Sequence, residues 1–214
     1  MTLEEYKQKY NEEDPVGWDA ISDHLEELYG EQQPEHFGNA IPYSLGGENP
    51  LDGLSVYKSD KQTDHFHITT FGFSDLYYNE EGVNNDYSGY GFEMTMRLKK
   101  QGDENIHWAM NLMNNLAKYV FNSGKWFEEF HFIPANGPIR LDYDTDLVAI
   151  AFVKDPELGT LETPNGRIDF LQMVGITQKE YDTLLANPMT TETEKLIEQL
   201  RQDNPLLITD LDRK

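Results

Sequence analysis

His65 and His67 stand two apart in a stretch with strand alternation, so their side chains share one face and could supply two ligands to a metal such as zinc. A third ligand would have to come from His107, His131 or a carboxylate delivered by the fold, and no spacing in the chain promises one. A polar pair bordering a half-buried sheet is the better account, and no metal is expected. Asp142, Asp144 and Asp146 imitate the opening of a calcium loop. Leu147, however, stands where that loop needs glycine, and Val153 where it needs a chelating glutamate, so the run reads as a charged turn before a buried strand. Gly89-Tyr90-Gly91 resembles half of a dinucleotide fingerprint, yet it precedes a strand and lacks the third glycine, which fits a bulge or tight turn. No serine elbow and no phosphate-binding loop occurs. Glu93 shares a strand face with Thr95 and Arg97, where a solvated or cross-strand paired carboxylate is the simpler reading than a catalytic one. The absence of cysteine removes thiolate nucleophiles, thiolate metal sites and disulfides. Neither catalysis nor a cofactor is expected.

What remains chemically distinctive is a tyrosine-bearing polar loop and a large negative charge. Tyr77, Tyr78, Tyr87 and Tyr90 crowd one segment and its edges, with Asn84, Asn85 and Asp86 between them. A loop of that length is functional or mobile, and tyrosine suits a surface that must be apolar and hydrogen-bonding together. Seventeen Lys and Arg face thirty-nine Asp and Glu, a net charge of −22. That balance argues against a nucleic-acid partner, which needs a positive surface, and permits steering of a basic one. Glu12-Glu13-Asp14, Glu26-Glu27, Glu80-Glu81, Glu128-Glu129 and the Asp142 to Asp146 run are each ordinary solvated faces, but no lysines compensate them.

These residues must be held by a folded scaffold. At 214 residues the chain has room for one large core, and its aromatic content argues against disorder. Asp14 as cap, Pro15 at the first position and the stripe Trp18, Ile21, Leu25, Leu28 predict a helix ended by Gly30. A loop-rich stretch follows to Pro50. Strands are predicted around Leu54–Tyr57, His65–Thr69 and Phe92–Leu98, the last with the cleanest alternation. Ile106 to Val120 predicts a helix ended by Gly124; Leu147–Val153 reads as a strand buried on both faces, and Ile168–Val174 as a strand after the Thr163-Pro164-Asn165-Gly166 turn. Thr177 with Glu180, and Thr191 with Glu194, read as capping boxes opening two helices, and Leu206–Ile208 as a closing strand or docked segment. With no repeat, linker or composition break, one α+β domain over residues 1–214 is expected. The acidic N-terminus has no apolar core of a secretory signal and no run is long enough to span a membrane, so a cytoplasmic location is expected.

An ordered set of blocks carries a family resemblance. Pro15-Val16-Gly17-Trp18-Asp19-Ala20-Ile21, His36-Phe37-Gly38, Pro50-Leu51-Asp52-Gly53, His65-Phe66-His67 and Phe71-Gly72-Phe73-Ser74-Asp75-Leu76-Tyr77 resemble the Suppressor of fused family. So do Gly89 to Thr95, Leu116 to Phe121, Phe170 to Gly175 and Leu207-Ile208-Thr209-Asp210, in the family's order. The resemblance is to the N-terminal domain of the animal protein, and it implies a central mixed β-sheet flanked by helices. In the animal protein that domain and a C-terminal one clamp an extended peptide of Gli transcription factors. The chain ends where the first domain ends, so a two-domain clamp and a Hedgehog role are not expected of it. Single-domain members are typical of bacteria, where the resemblance implies immunity proteins that bind and neutralise toxins. The family's peptide contacts fall on Tyr77 and Asp86, and Tyr78 departs from the small residue that usually follows that tyrosine.

The expected function is thus a non-enzymatic protein-binding module for a basic partner such as a toxin domain, using Tyr77, Tyr78, Asp86, Tyr87 and Tyr90. The alternatives are a metal-dependent hydrolase built on His65 and His67, and a scaffold for an extended regulatory peptide.

Overall fold

The computed structural model describes residues 1–41, 43–102 and 105–214. Helices α1 (Leu3–Lys9) and α2 (Val16–Tyr29) precede strands β1 (Glu35–Gly38), β2 (Gly53–Ser59), β3 (His65–Phe71) and β4 (Tyr87–Lys99). Then come α3 (His107–Ser123), β5 (Phe132–Pro134), β6 (Leu147–Lys154), β7 (Thr160–Thr163), β8 (Gly166–Thr177), α4 (Gln178–Ala186) and α5 (Thr190–Asp203). The eight strands form one sheet in the order β1-β2-β3-β4-β8-β6-β5, with β7 pairing β8. β4 and β8 run parallel and the other pairs antiparallel, which makes the sheet mixed, as expected.

Alternation decides which residues meet which layer. On one face Phe66, Ile68, Met94, Met96, Ile150, Phe152, Leu171 and Met173 pack under Met110, Met113, Ala117 and Val120 of α3. On the other face α2 seals one end through Ile21 and Leu25 against Tyr57, Phe71, Ile168 and Phe170. Its other end is sealed by Leu184 of α4 and Ile197 of α5 over Ala149, Val153, Val174 and Ile176. Each of the larger aliphatic and aromatic side chains removed from water contributes about 1.5–3 kcal/mol before conformational entropy is counted.

Between those two apolar clusters the second face is polar and still buried. His65, His67, Thr95, Arg97 and Gln172 are fully buried, as is Glu93. The pair His65 and His67 therefore does not border a half-buried sheet, and Glu93 is not solvated; helices cover both faces, so the polar half of the alternation is internal. The predicted strands and the caps at Gly30 (φ 61°) and Gly124 (φ 67°) stand, as does the Thr177–Glu180 capping box. Other details differ. Asp14 does not cap α2; its carboxylate accepts from the Asn11 backbone and side chain instead. Thr191 lies inside α5 and forms no box, because the helix begins one residue earlier. Leu206–Ile208 is a docked segment, tied to the sheet by Gln172, whose side-chain amide donates to the Leu206 and Leu207 carbonyls, and by a bridge from Leu98 to Thr209 just beyond it. The tyrosine loop ends earlier than expected, since β4 already begins at Tyr87.

Candidate functional site

The segment 72–79 is fixed on every side, and Glu93 is its main anchor. One carboxylate oxygen accepts from the Gly72 and Ser74 backbone N–H groups and from the Ser74 hydroxyl, at 3.0, 3.0 and 2.6 Å; the other accepts from Thr70 at 2.7 Å. Burial pushes the Glu93 carboxyl up while these donors pull it down. The Asp75 carboxylate accepts from Asn79 and from the Gly89 N–H, each at 3.2 Å, joining the segment to the start of β4. The first N–H groups of α2, on Gly17 and Trp18, donate to the Leu76 carbonyl at 2.9 and 3.0 Å, so tertiary structure does what a side-chain cap would have done.

Tyr77 emerges from this frame half exposed, its own carbonyl held by Asn165 at 3.1 Å. It lines a hollow of about 280 Å³ with Asp52, Gly72 and Ser74 to Asn79. Burial, then the nearby Asp52, raises its hydroxyl pKa. Tyr78 turns the other way. Its ring stacks on Tyr6 of α1 at 5.0 Å and its hydroxyl donates to Glu80 at 2.9 Å; burial and that hydrogen bond push its pKa up to about 12. Asp86 is exposed, and its carbonyl accepts from the Arg167 N–H.

Tyr87 and Tyr90 belong to a second, larger cleft. The parallel register between β4 and β8 slips between Tyr87 and Phe92, where Gly89 (φ 55°) and Gly91 (φ 82°) take backbone conformations that favour glycine. The Gly89-Tyr90-Gly91 bulge is the irregularity anticipated from the sequence. It opens a cleft of about 500 Å³ lined by Tyr87, Tyr90, Trp126, Phe127 and the carboxylates of Glu128, Glu129 and Asp169, with Lys154. Tyr90 is seated edge-on against Phe121 at 5.1 Å, and Phe127 stacks on Phe152 at 4.4 Å. The 126–131 turn is clamped onto β6: the Lys154 N–H donates to Glu129, and the Phe130 N–H to the Phe152 carbonyl. Trp126 stays 55% exposed, its indole N–H donating to Glu128 at 3.2 Å. Spacing gave no hint that the 126–129 turn meets β4; only the exposed tryptophan beside two glutamates marked it.

The histidines go elsewhere. His67 has both ring nitrogens engaged, by the Tyr29 hydroxyl at 2.5 Å and Asp155 at 3.0 Å, and His65 meets the Thr63 carbonyl at 2.8 Å. Among the described residues no group of three or more His, Asp or Glu is arranged to hold a metal ion.

A family model described as Suppressor of fused protein (SUFU) matches residues 47–214. The chain belongs to the Suppressor of fused family. The Suppressor of fused homologs of Homo sapiens and Mus musculus are each 32% identical to it over 92% of this chain. The alignments take in only 43% of either relative, so the chain spans less than half the length of the curated proteins it matches. Among solved structures, "the Sufu-Fu complex crystal structure" superposes with a TM-score of 0.83 at 31% identity, over 94% of this chain and 91% of that one. Drosophila Suppressor of Fused gives 0.83 at 30% identity, over 95% of this chain and 52% of that one. A Suppressor of fused homolog from Neisseria gonorrhoeae shares the fold at a TM-score of 0.59, with 11% identity over 92% and 95% of the two chains. The α+β sheet just described is thus the Suppressor of fused fold. Among the described residues no helix is long and apolar enough to cross a membrane.

Proposed function

We propose that this chain is a non-enzymatic binding protein that captures an extended segment of a basic protein partner in the cleft opened by the β4 bulge. The observation that carries the reading is the pairing, in that cleft, of aromatic walls with a carboxylate rim. Aromatic rings give a large contact area at little entropic cost, and carboxylates select against acidic partners. Tyr87 and Tyr90 make the anchoring contacts in the cleft, and Tyr77 adds one from the separate hollow around Asp75. Asp86 adds charge next to Tyr87, and Tyr78, packed on Tyr6, holds the segment that carries Tyr77. One structural relative was solved as a Sufu–Fu complex, which favours a protein partner over a small molecule. The net charge of −22 favours a basic one, and a bacterial immunity protein that neutralises a toxin domain in the cytoplasm fits both.

The test is calorimetric titration with a purified basic toxin domain. Raising salt from about 50 to about 300 mM is expected to weaken binding about tenfold, and Tyr77→Ala or Tyr87→Ala to weaken it about tenfold more. An acidic partner, or affinity indifferent to salt and to both tyrosines, overturns the reading.

A further inference from the structure

The molecule already displays, on its own side chains, the chemistry that the cleft offers a partner. Arg167 of β8 lies opposite Tyr87 of β4 in the register, its guanidinium 4.5 Å above the Tyr87 ring centre. It donates to the Tyr87 hydroxyl at 2.5 Å and approaches the Asp169 carboxylate at 3.8 Å, while its Nε is buried without a partner. One rim wall is therefore an aromatic ring with an arginine stacked on it and a carboxylate behind.

The opposite wall repeats the aromatic ring and the carboxylates but holds no arginine. Trp126 is 55% exposed, with Glu128 hydrogen-bonded to its indole edge and Glu129 adjoining. Lys154 is drawn away from these two, to Asp169 at 3.2 Å and the Thr160 hydroxyl at 3.0 Å. Among the described residues neither Glu128 nor Glu129 forms an ion pair with a lysine or arginine side chain; Glu128 meets the Trp126 indole and His131, at 3.6 Å, and Glu129 accepts only the Lys154 backbone N–H. A planar cation that stacks and donates through a fork matches an indole face with two carboxylates better than a compact ammonium does.

We propose that this wall is a seat for one arginine side chain of the partner, its guanidinium stacked on Trp126 and its charge met by Glu128 and Glu129, as Arg167 already sits on Tyr87. The proposal rests on the partner-binding reading above and names the side chain that reading leaves open.

The test uses N-acetyl-Gly-Arg-Gly-amide as probe, with its lysine and citrulline counterparts, titrated into the ¹⁵N-labelled full chain. The Trp126 indole N–H resonance is expected to shift and saturate with the arginine peptide, the citrulline peptide binding about tenfold weaker and the lysine peptide about threefold weaker. The Glu128→Gln/Glu129→Gln pair is expected to lose the response, and Trp126→Ala, at an exposed position that leaves the core intact, to lose the accompanying shifts of the Glu128 and Glu129 backbone amides. Arg167→Gln is expected to tighten it about threefold by freeing Tyr87. A Trp126 signal that does not move, or citrulline binding as well as arginine, overturns the seat. If that happens while Tyr77→Ala still weakens the toxin domain, the seat alone has failed; if the toxin domain is indifferent to Tyr77 and Tyr87, the partner-binding reading has failed.

Discussion

Asp155 is the residue on which the polar layer of the sheet closes. Its carboxylate accepts from Arg97, His67 and Thr95, and from the Glu157 and Leu158 N–H groups. Burial alone would raise its pKa, but His67 and Arg97 hold it well below the usual carboxylate range. Arg97 carries the compensating charge, and His67, its pKa lowered by burial and then by Arg97, stays neutral and donates to Asp155. In the unfolded chain that histidine takes up a proton near pH 6.5, which the folded chain refuses. Its stabilisation is thus complete above pH 6.5 and declines as pH falls below it. His65 and His36, also lowered by burial, act in the same direction. The Asp155 contribution is present above about pH 3.9 and is lost as pH falls through its lower folded value. Urea midpoints between pH 7 and 5 are expected to fall with acidity, and His67→Gln to flatten the slope by up to one proton, about 1.4 kcal/mol per pH unit. A midpoint flat across that range would remove the argument. Glu93 yields a second contrast. Glu93→Ala leaves the Gly72 and Ser74 N–H groups unpaired and is expected to cost about 2–4 kcal/mol and loosen the Tyr77 segment in hydrogen exchange. Glu93→Gln keeps an acceptor oxygen and is expected to cost under half as much.

Helix α2 is locked by close backbone approach, and this is where the sequence was hardest to read. A Cβ on Gly17 would lie 2.0 Å from the Asp75 carbonyl oxygen, so α2 can donate to Leu76 only because that position is bare. Gly17→Ala is therefore expected to cost more than about 2 kcal/mol, measured by urea unfolding, although alanine normally favours a helix interior. Gly124→Ala, with open space around a left-handed φ, is expected to cost only about 1 kcal/mol. Long strands and helices were legible because their period survives any tertiary arrangement: β4, β6, β8, α2 and α3 all follow from apolar spacing. β1, β5 and β7, of three or four residues, are too short to show a period, and α1 buries only Tyr6. Asp14 and Thr191 satisfied a local capping rule, but the Asp14 carboxylate is taken by Asn11 while α2 donates to Leu76, and α5 starts ahead of Thr191. Alternation also correctly assigned Glu93 and His67 to one face each, but could not tell water from a covering helix beyond that face.

At the scale of the whole molecule, the tyrosines of the proposed site stood out in the composition and the Trp126 side of the cleft did not, because the parallel β4–β8 pairing and the clamp on β6 bring together residues about forty and eighty positions from Tyr87. The same architecture separates two effects of negative charge that composition merges. The Gln62–Asn204 contact ties the β2–β3 turn to the end of α5, and the register of His65 with Lys99 puts that turn at the opposite end of β4 from Tyr87. Asp60 and Asp203, both exposed, belong to that far end. Neutralising them as asparagines removes the same two charges as Glu128→Gln/Glu129→Gln, but away from the cleft. If charge acts by steering alone, the two double variants slow association with a basic partner by similar factors and leave dissociation unchanged. If charge also acts inside the cleft, the glutamate pair speeds dissociation about tenfold or more while the distant pair changes only the association rate, by about twofold, and high salt erases that smaller effect. Stopped-flow association and dissociation rates at two salt concentrations distinguish these cases. Capture in the cleft requires the asymmetric result, because carboxylates beside an aromatic wall are desolvated on binding in a way that far-end aspartates are not.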